Sequence, residues 1–277
     1  MSEVLLTGER LQPGSELFGV DLARHRAAYV YANRNARGKR LLDLGCGTGY
    51  GTAELADSVT TKIEIYGLDR VKPVDSSRRS NAHFLRADLG GIPLTAGSFS
   101  TIVSFQVIEH LEDPTPYLAA IARLLEPDGT AYLTTPNVLT SDGVNPWHVH
   151  EYRANELRAK LLEHFNHVEM LGVGIGPRVA GYFEARLERI RRIMRIDPFG
   201  LRNLLPTRWV DWLFARLALV VRRGIQQGDG LPDADVDDFP IGAADPGDID
   251  LLAVCRAANA ASTESPRPSP SGRPRRP

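Results

Sequence analysis

Residues 41–51 read LLDLGCGTGYG, in which four glycines alternate with other residues directly after an apolar run. An apolar run that ends in Asp-x-Gly-x-Gly-x-Gly is typical of a strand that turns tightly into a helix. The glycines of such a turn let a ligand lie against the main chain. Because a similar turn binds dinucleotides, the glycines alone do not identify the ligand. Asp43 adds a carboxylate at the turn, where a pyrophosphate would be repelled and a cationic ligand would be held.

On both sides of this turn, short apolar runs alternate with helical patterns from residue 39 to about residue 165. This alternation predicts a doubly wound, Rossmann-like α/β fold around a parallel sheet. Seven strands are expected, with a helical insertion before the last one. The predicted strands are residues 40–44, 63–68, 83–86, 101–106, 130–134, 167–175 and 250–256.

The chain is predicted to form one domain, residues 1–258, followed by a tail, residues 259–277. The tail is rich in Pro, Ser and Arg, cannot bury apolar surface and is expected to be disordered. The insertion and an acidic loop occupy about residues 176–247. Within it, residues 208–223 combine tryptophans and leucines with arginines at both ends. This stretch fits either contact with a membrane surface or a helix packed on its neighbours.

Composition and charge narrow the function classes. The 277 residues are 43% hydrophobic, enough for one substantial core. The formal net charge of −1 gives no overall attraction to nucleic acid. Two cysteines do not form a disulfide framework. No apolar run reaches the ~20 residues that span a bilayer, so a cytoplasmic protein is expected, with attachment to the membrane surface left open.

Two further carboxylates follow predicted strands. Asp69 ends the second strand in YGLD, where it could accept hydrogen bonds from both hydroxyls of a ribose. Asp88 ends the third in LRADL, where it could accept from the exocyclic amine of an adenine. A nucleoside-containing ligand is therefore expected across the ends of the first three strands.

With these motifs in this order and at this spacing, residues 37–167 resemble the class I S-adenosylmethionine-dependent methyltransferases. The resemblance implies that S-adenosylmethionine is the cofactor, with its methionine end at the glycine turn. The alternative is a nicotinamide-binding domain or another nucleotide binder. The residues that the resemblance implies in cofactor binding are Asp43, Gly45, Cys46, Gly47, Gly49, Asp69, Arg70, Asp88, Leu89, Phe105 and Gln106.

A narrower resemblance rests on LTGERLQPG, DLARHRAAYVYA, FQVIEHL, TTPN and NPWHVHEY. Together these segments resemble bacterial methyltransferases that modify sugars, polysaccharides and glycolipids. The resemblance implies methyl transfer to an oxygen of a sugar-containing acceptor. Another small molecule, an RNA ribose, or cofactor binding without catalysis are the alternatives. RNA is disfavoured by the near-neutral charge and by the lack of an identifiable RNA-binding module.

Three histidines and one glutamate are candidates for the chemistry. A sugar hydroxyl is a poor nucleophile at pH 7, so a general base or a metal ion is needed. His148 and His150 would face the same side of an extended segment. The preferred base is His148, then His150, then His110, which follows Glu109. Each of these residues could instead hold a loop or cap a helix.

A metal site is the alternative to a histidine base. The segment QVIEH is similar to the ExxEH of small-RNA ribose 2′-O-methyltransferases, which implies a magnesium ion at Glu109, His110 and His148. Gln106 stands where that pattern has its first carboxylate, and the lost charge weakens a site for a hard cation. A metal-free base is therefore favoured. The acidic residues 233–238 lack the glycine and the glutamate of a calcium loop and are expected to be a solvated loop.

Overall fold

The computed structural model describes residues 18–58, 63–74, 77–89, 91–143, 145–194 and 232–256. Within these stretches the chain forms a mixed sheet covered by helices on both faces. The strands are β1 Arg40–Leu44, β2 Glu64–Asp69, β3 Ala82–Arg86, β4 Phe99–Phe105, β5 Leu125–Pro136, β6 His167–Val173, β7 Ile241–Ala243 and β8 Asp250–Arg256.

Five α-helices accompany these strands in the described stretches. Short 3₁₀ turns follow β4, at Ile108–His110, and precede β7, at Val236–Asp238. The α-helices are α1 Gly19–Asn35, α2 Tyr50–Ser58, α3 Thr115–Leu124, α4 Ala154–Leu162 and α5 Pro177–Met194.

The strand order is β3-β2-β1-β4-β5-β8-β6-β7. The first five strands in this order are mutually parallel, whereas β8 runs antiparallel to both β5 and β6. The registers place Leu44 opposite Leu68, and Asp69 opposite Arg86. The carboxyl ends of β1, β2 and β3 therefore meet at one edge, where ligands bind in open α/β sheets. The prediction of a doubly wound α/β fold is confirmed.

The core lies on both faces of the sheet, and β1 shows why. Leu41 belongs to the cluster formed with α1, α2 and α5, whereas Leu42 and Leu44 belong to the cluster formed with α3 and α4. All three leucines are fully buried. A strand covered on both faces reads as a continuous apolar run, which is how the sequence presents β1.

Two details of the sheet differ from the prediction. There are eight strands in the described residues, and the expected seven is wrong because β7 is a three-residue strand pairing with β6. A strand of three residues is too short to show an alternation of apolar and polar residues in the sequence. In addition, β5 begins at Leu125, before the predicted start at residue 130. The strand continues through Asp128, whose φ is +64°, and Gly129.

The helical insertion begins with α5, which precedes β7 and β8. Residues 208–223, which fit either membrane contact or a packed helix, and the tail, residues 259–277, lie outside the described residues. The acidic loop is partly described: Asp238 is buried and forms an ion pair with Arg178 (3.4 Å). None of the helices in the described stretches is long and apolar enough to cross a lipid bilayer.

Candidate active site

A cavity of about 920 Å³ opens at the carboxyl ends of β1, β2 and β4. Helices α1 and α5 form its opposite wall. Its volume suits a ligand of the size of a nucleoside-containing cofactor together with a second molecule. The predicted residues that line it are Gly45, Cys46, Gly47, Asp69, Arg70, Asp88, Leu89, Phe105, Gln106, Glu109, His110 and His148.

The glycine turn needs glycine for backbone and steric reasons. Gly45 and Gly49 have φ of +84° and +87°, in the left-handed region. A Cβ on Gly45 would lie 2.5 Å from Val107, and one on Gly49 would lie 2.7 Å from Phe84. The turn can therefore approach a ligand with its backbone but cannot carry side chains at these positions.

Asp69 holds the turn from the neighbouring strand. Its Oδ2 accepts a hydrogen bond from the Gly47 N–H (2.9 Å), and its Oδ1 accepts one from the Val71 N–H (2.8 Å). The carboxylate thus uses both oxygens on the backbone while it lines the cavity. A residue predicted for ribose recognition also fixes the shape of the cofactor turn.

Asp43 lies behind the turn rather than in the cavity wall. Its side chain is buried and accepts hydrogen bonds from Thr52 Oγ1 (2.7 Å) and from the Tyr29 hydroxyl (3.3 Å). Burial raises the pKa of Asp43 to about 7, against an opposing effect of these hydrogen bonds. Gly49 does not line the cavity either. Neither residue contributes to the cavity wall.

Aromatic side chains from α1 and β4 lie beside the glycine turn. The rings of Tyr29 and Phe105 are 4.8 Å apart, and those of His25 and Tyr29 are 5.5 Å apart, both edge to face. His25 also bonds the hydroxyl of Tyr50, and all four residues line the cavity. Burial lowers the pKa of His25 to about 3, so its ring stays neutral. Aromatic faces attract cations, and a sulfonium is one.

His25, Tyr29 and Tyr50 line the cavity although the sequence did not predict them there. Histidine and tyrosine in the helical pattern of α1 fit an ordinary packed face as well, and Tyr50 stands between two glycines of the turn without a signal of its own. The packing of α1 against α2 and β4 brings them to the cavity.

Ion pairs hold α5 over the cavity. Arg186 on α5 pairs with Asp21 on α1 (3.0 Å) and with Asp142 in the loop after β5 (3.7 Å). Despite burial, the pKa of Arg186 is raised by these carboxylates. Beside it, Arg24 pairs with the buried Asp250 (3.4 Å). Arg24 and Arg186, which both line the cavity, thus face carboxylates of the protein.

Glu109, in the 3₁₀ turn after β4, is fully buried. Its Oε2 accepts a hydrogen bond from Thr135 Oγ1 (3.1 Å), whereas its Oε1 has no hydrogen-bond partner among the described residues. Burial raises the pKa of Glu109 to about 8. Its backbone carbonyl accepts the N–H groups of Val149 (2.8 Å) and His150 (3.2 Å). These bonds dock the loop that carries His148 onto the turn.

The two imidazoles beside Glu109 are oriented by acceptors. His110 Nδ1 lies 2.9 Å from the carbonyl oxygen of Trp147, which can only accept, so Nδ1 donates. His148 Nδ1 lies 2.6 Å from Glu151 Oε1. Burial raises the pKa of Glu151, but hydrogen bonds from His148 and Ser141 lower it more, so an ionised Glu151 accepts from Nδ1. When either ring is neutral, its lone pair is therefore on Nε2.

Glu109, His110 and His148 meet at one point of the cavity and are called the EHH cluster below. One ligand atom from each lies within 4.8 Å of the others. The rings of His110 and His148 are 5.1 Å apart. The structure therefore brings together three of the four residues predicted for catalysis.

His150 is the exception. Its Nε2 lies 2.6 Å from Glu156 Oε1, its side chain is 49% exposed, and it does not line the cavity. The expectation that His148 and His150 share one face is wrong, because the segment is a turn rather than a strand. The His148 N–H bonds the Asn145 carbonyl, and the next two N–H groups bond one carbonyl of Glu109.

Part of the remaining wall of the cavity is apolar. It is formed mainly by one face of α5, with a residue from the loop after β5 and one before α5. These residues are Leu139, Ile175, Ala180, Phe183, Leu187 and Ile190. A second molecule beside the EHH cluster would contact this wall.

Comparisons with known proteins agree with this geometry. Residues 20–172 match a family model described as a methyltransferase domain. A protein of Mycobacterium tuberculosis, described as a probable S-adenosylmethionine-dependent methyltransferase, is 30% identical over 256 residues, which cover 90% of this chain and 88% of that protein. The ubiquinone biosynthesis O-methyltransferase of Xanthomonas oryzae is 32% identical over 124 residues, 40% of this chain and 49% of that enzyme.

Solved structures share the fold. The phosphoethanolamine N-methyltransferase 2 of Haemonchus contortus, in complex with S-adenosylmethionine, superposes with a TM-score of 0.51. The match covers 84% of this chain and 53% of that one at 15% identity. At this identity the likeness concerns the fold alone.

Proposed function

The chain belongs to the S-adenosylmethionine-dependent methyltransferases, and on this premise we propose that it methylates a hydroxyl oxygen. The observation that carries the proposal is the EHH cluster, which combines a buried carboxyl group and two oriented imidazoles beside the cofactor cavity. The partial likeness to an O-methyltransferase of ubiquinone biosynthesis supports it.

The chemistry explains why such a cluster favours oxygen. The carbon–sulfur bond of the sulfonium breaks as the carbon–oxygen bond forms, and the bonding electrons pass to sulfur. The products are S-adenosylhomocysteine and a methyl ether, and the hydroxyl proton must leave. A neutral amine attacks with its own lone pair, whereas an alcohol is a weak nucleophile until its proton is withdrawn.

Two routes for this proton are open to the EHH cluster. In one, the neutral imidazole of His148 takes the proton at Nε2, and the carboxylate of Glu151 stabilises the imidazolium through Nδ1. In the other, a cation held by the cluster binds the hydroxyl and makes it acidic. Both routes give O-methylation, and neither uses His150.

A sugar-containing acceptor remains a proposal that rests on the sequence resemblance. Among such acceptors, the cavity favours one with an apolar part, such as a glycolipid. Its hydroxyl would meet the EHH cluster while the apolar part contacts Phe183, Leu187 and Ile190. Burying that apolar surface contributes to binding.

The proposal is tested with methyl-labelled S-adenosylmethionine and matched acceptors: alkyl glycosides of increasing chain length and the corresponding alkyl amino sugars. We expect label in a methyl ether, with better turnover for longer chains. His148→Ala should lower turnover about 100-fold, the scale of lost hydroxyl activation, without weakening cofactor binding. His150→Ala is the matched control and should keep its activity. Label found only on nitrogen would refute the proposal.

A further inference from the structure

Glu109, His110 and His148 offer one carboxylate oxygen and two imidazole nitrogens within 4.8 Å of one another. We propose that these three residues bind a divalent transition-metal ion such as Mn²⁺, which holds the acceptor hydroxyl. The inference rests on the proposed function and deepens it, because it assigns the second route of proton removal to the site.

The first support is the environment of Glu109. The side chain is fully buried, and its Oε1 has no hydrogen-bond partner among the described residues. A buried polar atom without a partner is costly and is rare in native proteins. Thr135 holds the other oxygen (3.1 Å), so the carboxyl group is already oriented. A cation between Glu109 and the two histidines would satisfy Oε1.

The second support is how the imidazoles are held. Histidines that bind metals commonly donate their other N–H group to a carbonyl or a carboxylate, which fixes the ring and makes it a better ligand. His110 donates Nδ1–H to the Trp147 carbonyl (2.9 Å) and His148 donates to Glu151 (2.6 Å). Each histidine therefore already has the hydrogen-bond acceptor that commonly orients a metal-binding imidazole.

The donor set indicates the kind of ion. Magnesium prefers oxygen ligands, and Gln106 supplies no carboxylate to the cluster; its Nε2 lies near Thr134 Oγ1 (3.4 Å). Two imidazoles and one carboxylate suit a transition metal and leave coordination positions open. Donor atoms bound to one ion at about 2.1 Å lie about 3 to 4 Å apart, so the side chains need to approach one another by about 1 Å.

The open coordination positions of the ion would bind the acceptor hydroxyl. A hydroxyl bound to the ion becomes more acidic and releases its proton to a water molecule in the cavity. The resulting alkoxide attacks the methyl group, and the electrons of the carbon–sulfur bond pass to sulfur. His148 then acts as a ligand through Nε2 and not as the base.

The test is a titration of the full chain, freed of metals with a chelator, with Mn²⁺, Zn²⁺ and Mg²⁺ separately. Calorimetry measures all three, and electron paramagnetic resonance measures Mn²⁺. We expect one Mn²⁺ or Zn²⁺ per chain and much weaker Mg²⁺ binding. Glu109→Gln and His148→Ala should weaken Mn²⁺ binding at least about 10-fold, and Glu151→Gln about 10- to 100-fold. His150→Ala removes a surface ligand and should bind as the wild type does.

Binding of S-adenosylhomocysteine, measured on the same samples, separates the possible failures. Unchanged binding in every variant shows that the cofactor end is folded, so a lost metal response reports the EHH cluster. No stoichiometric Mn²⁺ or Zn²⁺ binding by the wild type, or equal binding by His148→Ala, overturns the inference. If O-methylation persists in excess chelator, the metal role fails while the proposed function stands. If metal binds but only nitrogen is methylated, the proposed function fails alone.

Discussion

Replacing Asp69 by asparagine tests how the cofactor turn is held. Asp69 accepts one hydrogen bond at each carboxylate oxygen, from the N–H groups of Gly47 (2.9 Å) and Val71 (2.8 Å). Asparagine has a single acceptor oxygen, so its NH₂ group would face one of the two N–H donors. One hydrogen bond to a charged acceptor is lost, worth about 1.5–3 kcal/mol. If the cofactor needs the turn in its present shape, this loss corresponds to an affinity about 10- to 150-fold weaker.

Calorimetric titration with S-adenosylhomocysteine measures this affinity. Glu64→Gln, at the other end of β2, is the matched control, because Glu64 is exposed and its side chain accepts a hydrogen bond from the Tyr66 hydroxyl (3.0 Å), away from the turn. An exposed substitution of this kind should change affinity by no more than about twofold. If Asp69→Asn binds the ligand as tightly as the wild type, then the second carboxylate oxygen does not control the turn and the reasoning is wrong.

Three further substitutions test the packing at Gly51, the helix α5 at Gly181 and the buried charge of Asp43. A Cβ at Gly51 would lie within 2.5 Å of Cζ, Oη and Cε2 of Tyr29, so Gly51→Ala should lower the free energy of unfolding in urea by about 1–3 kcal/mol. A Cβ at Gly181, in α5, would have no neighbour within 4 Å, so Gly181→Ala should raise the free energy of unfolding by about 0.5–1 kcal/mol. The pKa of Asp43 is about 7 in the folded protein against an ordinary 3.8, so the wild type should lose stability as pH rises from about 4 to about 7. Asp43→Asn has no carboxyl group to titrate and should not show this loss. Between about pH 4 and pH 7, the unfolding free energy of the variant minus that of the wild type should therefore rise by up to about 4 kcal/mol. If this difference does not vary with pH, the Asp43 carboxyl titrates normally.

Most of the sheet could be predicted from the sequence because buried strands and their ends leave local signals. The predicted bounds of β1 and β8 agree with the structure to the residue. Both strands are buried along most of their length and therefore appear as continuous apolar runs. Asp69 and Asp88 follow parallel strands, so topology alone places them at one edge.

The EHH cluster shows where prediction from the sequence ends. The spacing of His148 and His150 predicts a shared face only for an extended backbone. The actual turn depends on a carbonyl at Glu109, about forty residues earlier in the chain. The position of His25 depends in the same way on how α1 packs across β4. Contacts between distant segments decide both cases, and a local pattern does not record them.

The position of β8 has a consequence for the order in which the protein can be assembled. Among the described strands β8 comes last in the chain, yet it lies between β5 and β6 and bonds to both. Until residues 250–256 leave the ribosome, β5 and β6 each present an unpaired edge to other chains. The glycine turn and its neighbouring parallel strands can form during synthesis, but the half of the sheet beneath α5 must wait. A nascent chain that has not yet completed β8 therefore needs protection from other chains. A chain cut short before residue 250 by a premature stop codon lacks the strand that joins β5 to β6.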